Sequence, residues 1–354
     1  MRVFIVRSAG KELNTDAGWY FHCVLEEHGI EHTMFDHRIV AYRGRLVKKA
    51  INRIVRRLAS NREQAWSVLH RRADRELLAR VEQFRPNLLL VMSGKTISRN
   101  LLRHIQSRWP RLRTVNVFWD NPFFYDLTFD ALPEYDYFFV KDTYVVGEMR
   151  KLGADNVHYL PQACHPPEHR VLNDLTTAER AKYGSDLSFV GSMYPYRAHI
   201  LDVFADMDLK IWGSGSHGII PSDSVAFTKH QREPVFGRAK VAVFNASKIN
   251  LNTQNYQNDI FGVSSKVYQI AASGGFQLID YKPDLEKLFK VDQELIVFRS
   301  RDELRELAEY YLAHPEERAE IAERSRRRAI AEHSFVHRWQ TISEAVNRQF
   351  KSRR

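Results

Sequence analysis

Residues 249–280, INLNTQNYQNDIFGVSSKVYQIAASGGFQLID, hold the densest set of groups able to bind an anion. Gly262 precedes Ser264, Ser265 and Lys266 at the expected start of a helix. Two hydroxyls, backbone N–H groups and one ammonium suit a diphosphate. Gln269 follows Ser265 by four residues, on the same helical face, within reach of a ribose hydroxyl. A capped surface helix with a buried Tyr268 has the same letters. A second glycine-serine pair, Gly191-Ser192 in FVGSMYPYR, lies between an expected strand and a helix carrying Arg197. Such a turn brings N–H groups to a phosphate, and it is also the form of any tight strand-to-helix turn. Gly213, Gly215 and Gly218 match the count of G-x-G-x-x-G, but no helical pattern opens there, so the dinucleotide signal is weak.

The first half offers LLLVMSGKTIS, whose Gly94-Lys95-Thr96 ends like a phosphate loop. The full motif places another glycine five residues before Gly94, and that position is Leu89, inside the apolar run. A Walker loop is therefore excluded. What remains is a loop at a strand's carboxyl end, where open α/β sheets bind ligands, with Gly94 for close approach and Lys95 for charge. A plain turn with a solvated lysine fits equally. FWDNP places the carboxylate of Asp120 after another strand. Asp206-Met207-Asp208 has the letters of a metal-binding D-x-D, yet it falls between a helix and a strand and reads as a polar turn. His158, His165 and His169 share no ligand spacing, so no metal is expected.

These residues must be positioned by alternating strands and helices. Arg2 to Arg7, EHTMFD, Asn87 to Met92, RTVNVFW, DYFFVK and VHYLPQ read as strands separated by helical stretches. ACHPPEHR reads as a linker, because Pro166-Pro167 continues neither strand nor helix. The alternation restarts at LSFVG and runs through LKIWG, KINLN, FQLID and ELIVFR. Three helices close the chain: 302–313, 316–332 and 335–350. The 354 residues suit two domains, each with a parallel sheet covered on both faces.

The order of these motifs resembles GT-B glycosyltransferases, in particular the spore-maturation-type family with a glycosyltransferase family 1/4-like C-terminal domain. The likeness rests on Tyr268-Gln269, ASGG, FQLID, Leu288-Phe289, Glu294 and the tail from Tyr310 to Trp339. SGKTIS, FWDNP, DYFFVKD, YLPQACHP and FVGSMYPYR are similar too. The resemblance implies an α/β GT-B fold of two Rossmann-like doubly wound domains facing a central cleft. Residues 1–165 would bind the acceptor, 166–333 the nucleotide-sugar donor, and 334–354 would form a helix returning to the first domain. It implies transfer of a sugar from a nucleoside diphosphate to a glycan, lipid-linked or protein acceptor, with no metal or cofactor. Donor contacts fall on Gly191, Ser192, Arg197, Gly213, Ser264, Ser265, Lys266 and Gln269. Acceptor contacts fall on Asn14, Asp16, Trp19, Gly94 and Lys95. Asp120 is the candidate base, the alternative being a turn carboxylate bonded to its own loop. The family usually has Glu, sometimes Asp, at the position of Gln269, and an amide holds ribose less strongly than a carboxylate. A non-catalytic scaffold of the same fold and a sugar-nucleotide epimerase stay open as alternatives.

The net charge of +10 has a local source. Between Arg38 and Arg80 there are 13 Lys/Arg and 3 Asp/Glu, an excess equal to that of the whole chain. Within it, residues 45–58 place Val47, Ile51, Ile54 and Leu58 on one face of a cationic amphipathic helix. Such a helix binds an anionic membrane surface, or packs on a core with a solvated basic face. Nucleic acid is not expected, since only Tyr42 and Trp66 supply aromatic rings nearby. No apolar run spans a bilayer, MRVFIVRSAG reads as a first strand, and two cysteines build no disulfide framework. The expected location is cytoplasmic, with a peripheral position at the inner face of the membrane through residues 45–58.

Overall fold

A computed structural model describes residues 1–7, 16–38, 62–213 and 220–352; the side chains of 62–69 and 349–352 are outside that description. The chain divides into two units, one of residues 1–161 with 339–354, the other of 162–338.

The first unit opens with β1 (Val3–Arg7), α1 (Ala17–Glu27), β2 (His32–Asp36), α2 (Arg62–Phe84) and β3 (Leu88–Met92). It continues with α3 (Arg99–Arg108), β4 (Arg113–Phe118), α4 (Asp126–Ala131), β5 (Tyr137–Val140), α5 (Thr143–Lys151) and β6 (Val157–Tyr159). All six strands are parallel, in the order β2-β1-β3-β4-β5-β6. β1, β3 and β4 are buried at every position, and burial on both faces explains why β3 and most of β1 read as unbroken apolar runs. The helices begin where the sequence places small polar caps. Ser98 Oγ accepts from the N–H of Leu101, and Asp142 accepts from those of Tyr144 and Val145. Phe4, Leu89, Val91, Phe118 and Phe138 pack with Leu77, Leu102, Ile105 and Met149 in one core. Each such side chain contributes roughly 1.5–3 kcal/mol on burial.

The second unit contains α6 (Thr177–Tyr183), β7 (Leu187–Val190), α7 (Pro195–Leu201), β8 (Leu209–Trp212), α8 (Val225–Thr228) and α9 (Gly237–Ala246). β9 (Ile249–Asn252), α10 (Lys266–Ala272), β10 (Gln277–Asp280), α11 (Leu285–Leu288) and β11 (Ile296–Phe298) follow, then α12 (Arg301–Ala313) and α13 (Pro315–Glu332). Its five strands are parallel, in the order β11-β10-β9-β7-β8. The last helix, α14 (Phe335–Ser352), begins in this unit and ends in the first. There Tyr137 donates to the Ala345 carbonyl at 2.7 Å.

The proline-rich stretch after β6 is not a loose linker. Cys164 is fully buried, its N–H donates to the His333 carbonyl, and its carbonyl accepts from Phe335. His169, three residues past the proline pair's start, is also fully buried. Proline forbids a regular element here but does not forbid tertiary anchoring.

In each sheet the order reverses at one point. In the first unit β1 lies between β2 and β3; in the second, β7 lies between β8 and β9. Loops leaving the carboxyl ends of strands at such a reversal diverge and leave a crevice. The loops after β3, after β7 and after β9 are those that carry SGKTIS, GSMY and the serine-lysine segment.

Candidate functional site

In the second unit, three of the residues singled out meet at the β7–β9 reversal. Gly191 has φ +153°, a conformation side-chain-bearing residues rarely adopt, and its N–H donates to the Trp212 carbonyl. A Cβ placed on it would stand 3.2 Å from Lys266 Nζ. Gly213, at φ +144°, backs onto it: a Cβ there would overlap the Gly191 carbonyl. The two glycines thus let adjacent strand ends approach, which is the role of Gly213; Gly215 and Gly218 lie outside the described residues.

Lys266 reaches this point from the first turn of α10. Its Nζ is buried without a hydrogen-bond partner, although the residue as a whole is partly exposed. The Phe189 ring lies 4.7 Å from it. Burial, and next the Arg197 guanidinium, push the lysine well below its ordinary value, against the pull of Asp259 and Asp280. Ser264 Oγ is likewise buried without a partner. A buried lysine nitrogen without a partner beside the Gly191 backbone, with an unpaired hydroxyl two residues earlier in the chain, forms a cradle suited to an anion.

The surrounding residues hold that cradle in shape. Gln254, fully buried, accepts from the Ser264 N–H at 2.7 Å and donates to Asn252 Oδ1 at 3.1 Å. Asn252 donates to Gln277 Oε1 at 2.8 Å, and Gln277 to the Val267 carbonyl at 2.9 Å. Asp280, 4 % exposed at the end of β10, accepts from the Gln254 N–H at 2.8 Å. Its other oxygen has no partner, and burial, opposed by Lys282 and the Gln254 N–H, raises its carboxyl to about 6.

Two expectations change here. The Ser264 N–H is not available to a phosphate, because Gln254 takes it. Arg197 does not point its charge outward: it donates to the Ser192 carbonyl at 2.6 Å and the Thr253 carbonyl at 2.9 Å, tying the loop after β7 to the loop after β9. Ser192 is therefore drawn in through its carbonyl. Ser265 stands at the N-cap of α10 with helical backbone angles and no side-chain capping bond. Gln269 is 7 % exposed on the same helix.

Sequence reading passed over the residues around this cradle. Tyr194 and Tyr196 lie nearly parallel with centroids 6.0 Å apart, and Tyr256 meets Tyr196 edge-on at 4.9 Å. The Lys282 ammonium stands 4.2 Å over the Tyr256 ring. The available signals were two tyrosines straddling Pro195 and an aspartate ending the apolar strand FQLID.

In the first unit, Ser93 and Gly94 both have positive φ, 71° and 63°. A Cβ on Gly94 would run into the Asn116 side chain, so the loop lies tight over β4. α3 starts only at Arg99, so no helix N-terminus stands at Lys95. Lys95 instead pairs with Asp120 and donates to Tyr125 Oη at 3.1 Å, with its ammonium 4.1 Å over the Tyr125 ring. Burial lowers the lysine, but Asp120 and Tyr125 together raise it above its ordinary value. Two candidates from different roles thus form one ion pair. Thr96 is tied to His37 at 3.0 Å, and His37 to Asp74 at 2.8 Å.

Asp16 caps α1, accepting from the Trp19 N–H at 3.0 Å, and pairs with Arg7 at 3.1 Å. Each of its carboxylate oxygens makes a structural bond. Trp19 is partly exposed and packs on His22 at 4.8 Å. Asn14 and the basic segment 45–58 lie outside the described residues. Asp206 sits in a turn and pairs with Arg305, and Asp208 accepts from the Asp186 N–H at 3.1 Å. Among the described residues no group of three His, Cys, Asp or Glu side chains could hold a metal ion, and no helix is long and apolar enough to cross a membrane.

The chain is similar to known proteins in sequence and in fold. Residues 197–344 match a family described as glycosyl transferase-like. The spore protein CgeB of Bacillus subtilis is 23% identical over 282 residues, covering 74% of this chain and 83% of that protein. Sucrose-phosphate synthase from Thermosynechococcus elongatus superposes with a TM-score of 0.69 at 10% identity, over 99% of this chain and 100% of the other. HepE of Anabaena, solved in complex with UDP-glucose, gives 0.61 at 13% identity over 98% and 99%.

Proposed function

We propose that this chain, a GT-B glycosyltransferase resembling the spore protein CgeB, uses a uridine diphosphate sugar as donor and a glycan or lipid-linked acceptor. One observation carries the donor reading: Lys266 Nζ is buried without a partner beside Gly191, at the sheet's reversal point, and the Oγ of Ser264, two residues earlier, is buried without one too. A nucleoside diphosphate supplies the phosphate oxygens that both groups lack. That HepE was solved with UDP and with UDP-glucose supports uridine as the base.

In the reaction the sugar leaves a diphosphate on which charge develops. Lys266 stands where that charge grows, which is the most effective place for a cation in the bound complex. It fills this role without a resident metal or cofactor. Gln269 serves the ribose as hydrogen-bond partner. On the acceptor side, Asp120 takes the proton of the attacking hydroxyl, and Lys95, paired with that carboxylate, orients it. Residues 45–58 bring the enzyme to an anionic membrane bearing a lipid-linked acceptor.

Calorimetry with uridine, thymidine and guanosine diphosphates tests the donor. UDP should bind, and Lys266→Ala should weaken it by tenfold or more; silence with all three nucleotides refutes the reading. Flotation with anionic liposomes at low salt tests the membrane contact, which no flotation would sink. A binding-only reading rests on Gln269, an amide where the resembled family has a carboxylate. It requires UDP-sugar binding with neither transfer nor donor hydrolysis.

A further inference from the structure

The cradle contains a physical contradiction when empty. A lysine ammonium ordinarily carries three hydrogen bonds, and here Nζ makes none. Its surroundings are an aromatic ring at 4.7 Å and the glycine backbone of residue 191. Four charged groups face it from other elements: Arg197 on α7 and Lys240 on α9 repel its proton, Asp259 in the loop after β9 and Asp280 at the end of β10 attract it. Neither carboxylate bonds to it, since its Nζ has no hydrogen-bond partner; Asp280 accepts from the Gln254 N–H and Asp259 from the Asn255 N–H at 2.8 Å. A desolvated, unpaired cation beside a guanidinium is the least stable form this side chain can take.

Resting on the donor reading above, we propose that Lys266 stands in the empty site as a neutral amine and takes up a proton when a phosphoanion enters. The balance is simple. The amine lone pair accepts one proton from solvent buffer, the resulting ammonium pairs with a phosphate oxygen, and no other group changes charge. Burial and Arg197 hold the lysine well below its ordinary value only while the anion is absent. The anion removes the desolvation penalty by supplying the missing partner. Two consequences separate this site from one with a permanent cation. Affinity falls by about tenfold per pH unit once the empty-site amine is deprotonated, because one proton is linked to binding. Ligands also differ by charge: a diphosphate recruits the proton, whereas a free nucleoside does not.

The test uses the full chain and two probes, UDP and inorganic pyrophosphate. Calorimetry in two buffers of equal alkaline pH but different ionisation enthalpy counts the protons exchanged. The expected result is uptake of about one proton per anion in the wild type. Lys266→Arg should bind with no linked proton, since arginine keeps its charge in proteins. Carbon-13 signals of the lysine ε-methylenes, with Lys266 assigned by its loss in the variant, read the amine directly. It should appear neutral in the empty protein and charged once either probe is added. A charged Lys266 in the empty protein, or tight binding of UDP with no proton uptake, overturns the coupling and leaves the donor site standing. Failure of both probes to bind overturns the donor site, and the coupling with it.

Discussion

Asp280 offers a quantitative check on the buried network behind the cradle. Its carboxyl is 4 % exposed, and burial raises it from 3.8 to about 6. An acid raised in the folded state binds its proton more tightly there than in the unfolded chain. Folding is therefore helped below 3.8, and that help is lost as the pH rises through about 6. A shift of roughly two units amounts to about 3 kcal/mol against the folded state at neutral pH. Asp280→Asn removes the charge and keeps an oxygen to accept the Gln254 N–H, now 2.8 Å away. The variant should be more stable than the wild type by up to about 3 kcal/mol near neutrality and by only about 0.5 kcal/mol near pH 4. Hydrogen exchange of the amides in β10 and β9, across a urea series at both pH values, reads that stability locally. An Asp280→Asn protein that is less stable near neutrality, or equally changed at both pH values, refutes the reasoning. A gain would also show that this charge is kept against stability, as sites facing a ligand often are.

Asp120→Asn should lower kcat by about 10²–10⁴ while leaving UDP affinity in place, measured by transfer assay and calorimetry. Undiminished turnover would remove Asp120 as the base. Gly191→Ala forces an ordinary residue to φ +153° and sets a methyl 3.2 Å from Lys266 Nζ. Strain of about 1–3 kcal/mol should appear in melting, with a loss of UDP binding of at least about tenfold, and wild-type affinity would contradict the cradle. His333 donates through Nε2 to the Leu288 carbonyl at 2.6 Å and accepts at Nδ1 from Arg338 at 3.1 Å, which fixes its neutral form. Burial, and next Arg338, lower its imidazole from 6.5 to about 4. The stability it contributes is present above 6.5 and is lost, by about 3 kcal/mol in all, as the pH falls toward 4. Acid unfolding of His333→Gln should lack that component.

Alternation of strand and helix was legible because it is written locally. A parallel strand buried on both faces favours an apolar run, and β3 and the first four residues of β1 are such runs, while β4 buries Arg113, Thr114 and Asn116 among its apolar residues. Caps such as Ser98 and Asp142 announce their helices within three residues. The short helices α4, α6, α8 and α11 went unread, since periodicity over so few residues is weak; α7 and α10, also short, were placed by the glycine and serine residues before them. Leu89, sitting where a phosphate loop requires glycine, was decided by the sequence alone, while the GT-B fold was expected from the resemblance that the order of the motifs carries.

Partnership was decided by tertiary structure. Lys95 and Asp120 are 25 residues apart and meet only because β3 pairs with β4. Gly191 and Lys266 are neighbours because β7 pairs with β9, a register that no local pattern states. Asp16 and Arg197 kept the charges the sequence assigned them, but the fold turned both toward backbone N–H and carbonyl groups. A residue's type sets what bonds it can make. Which of them it makes depends on the unpaired groups the fold brings within 3 Å, and among the buried lysine nitrogens of the described residues the one left without a partner is that of Lys266.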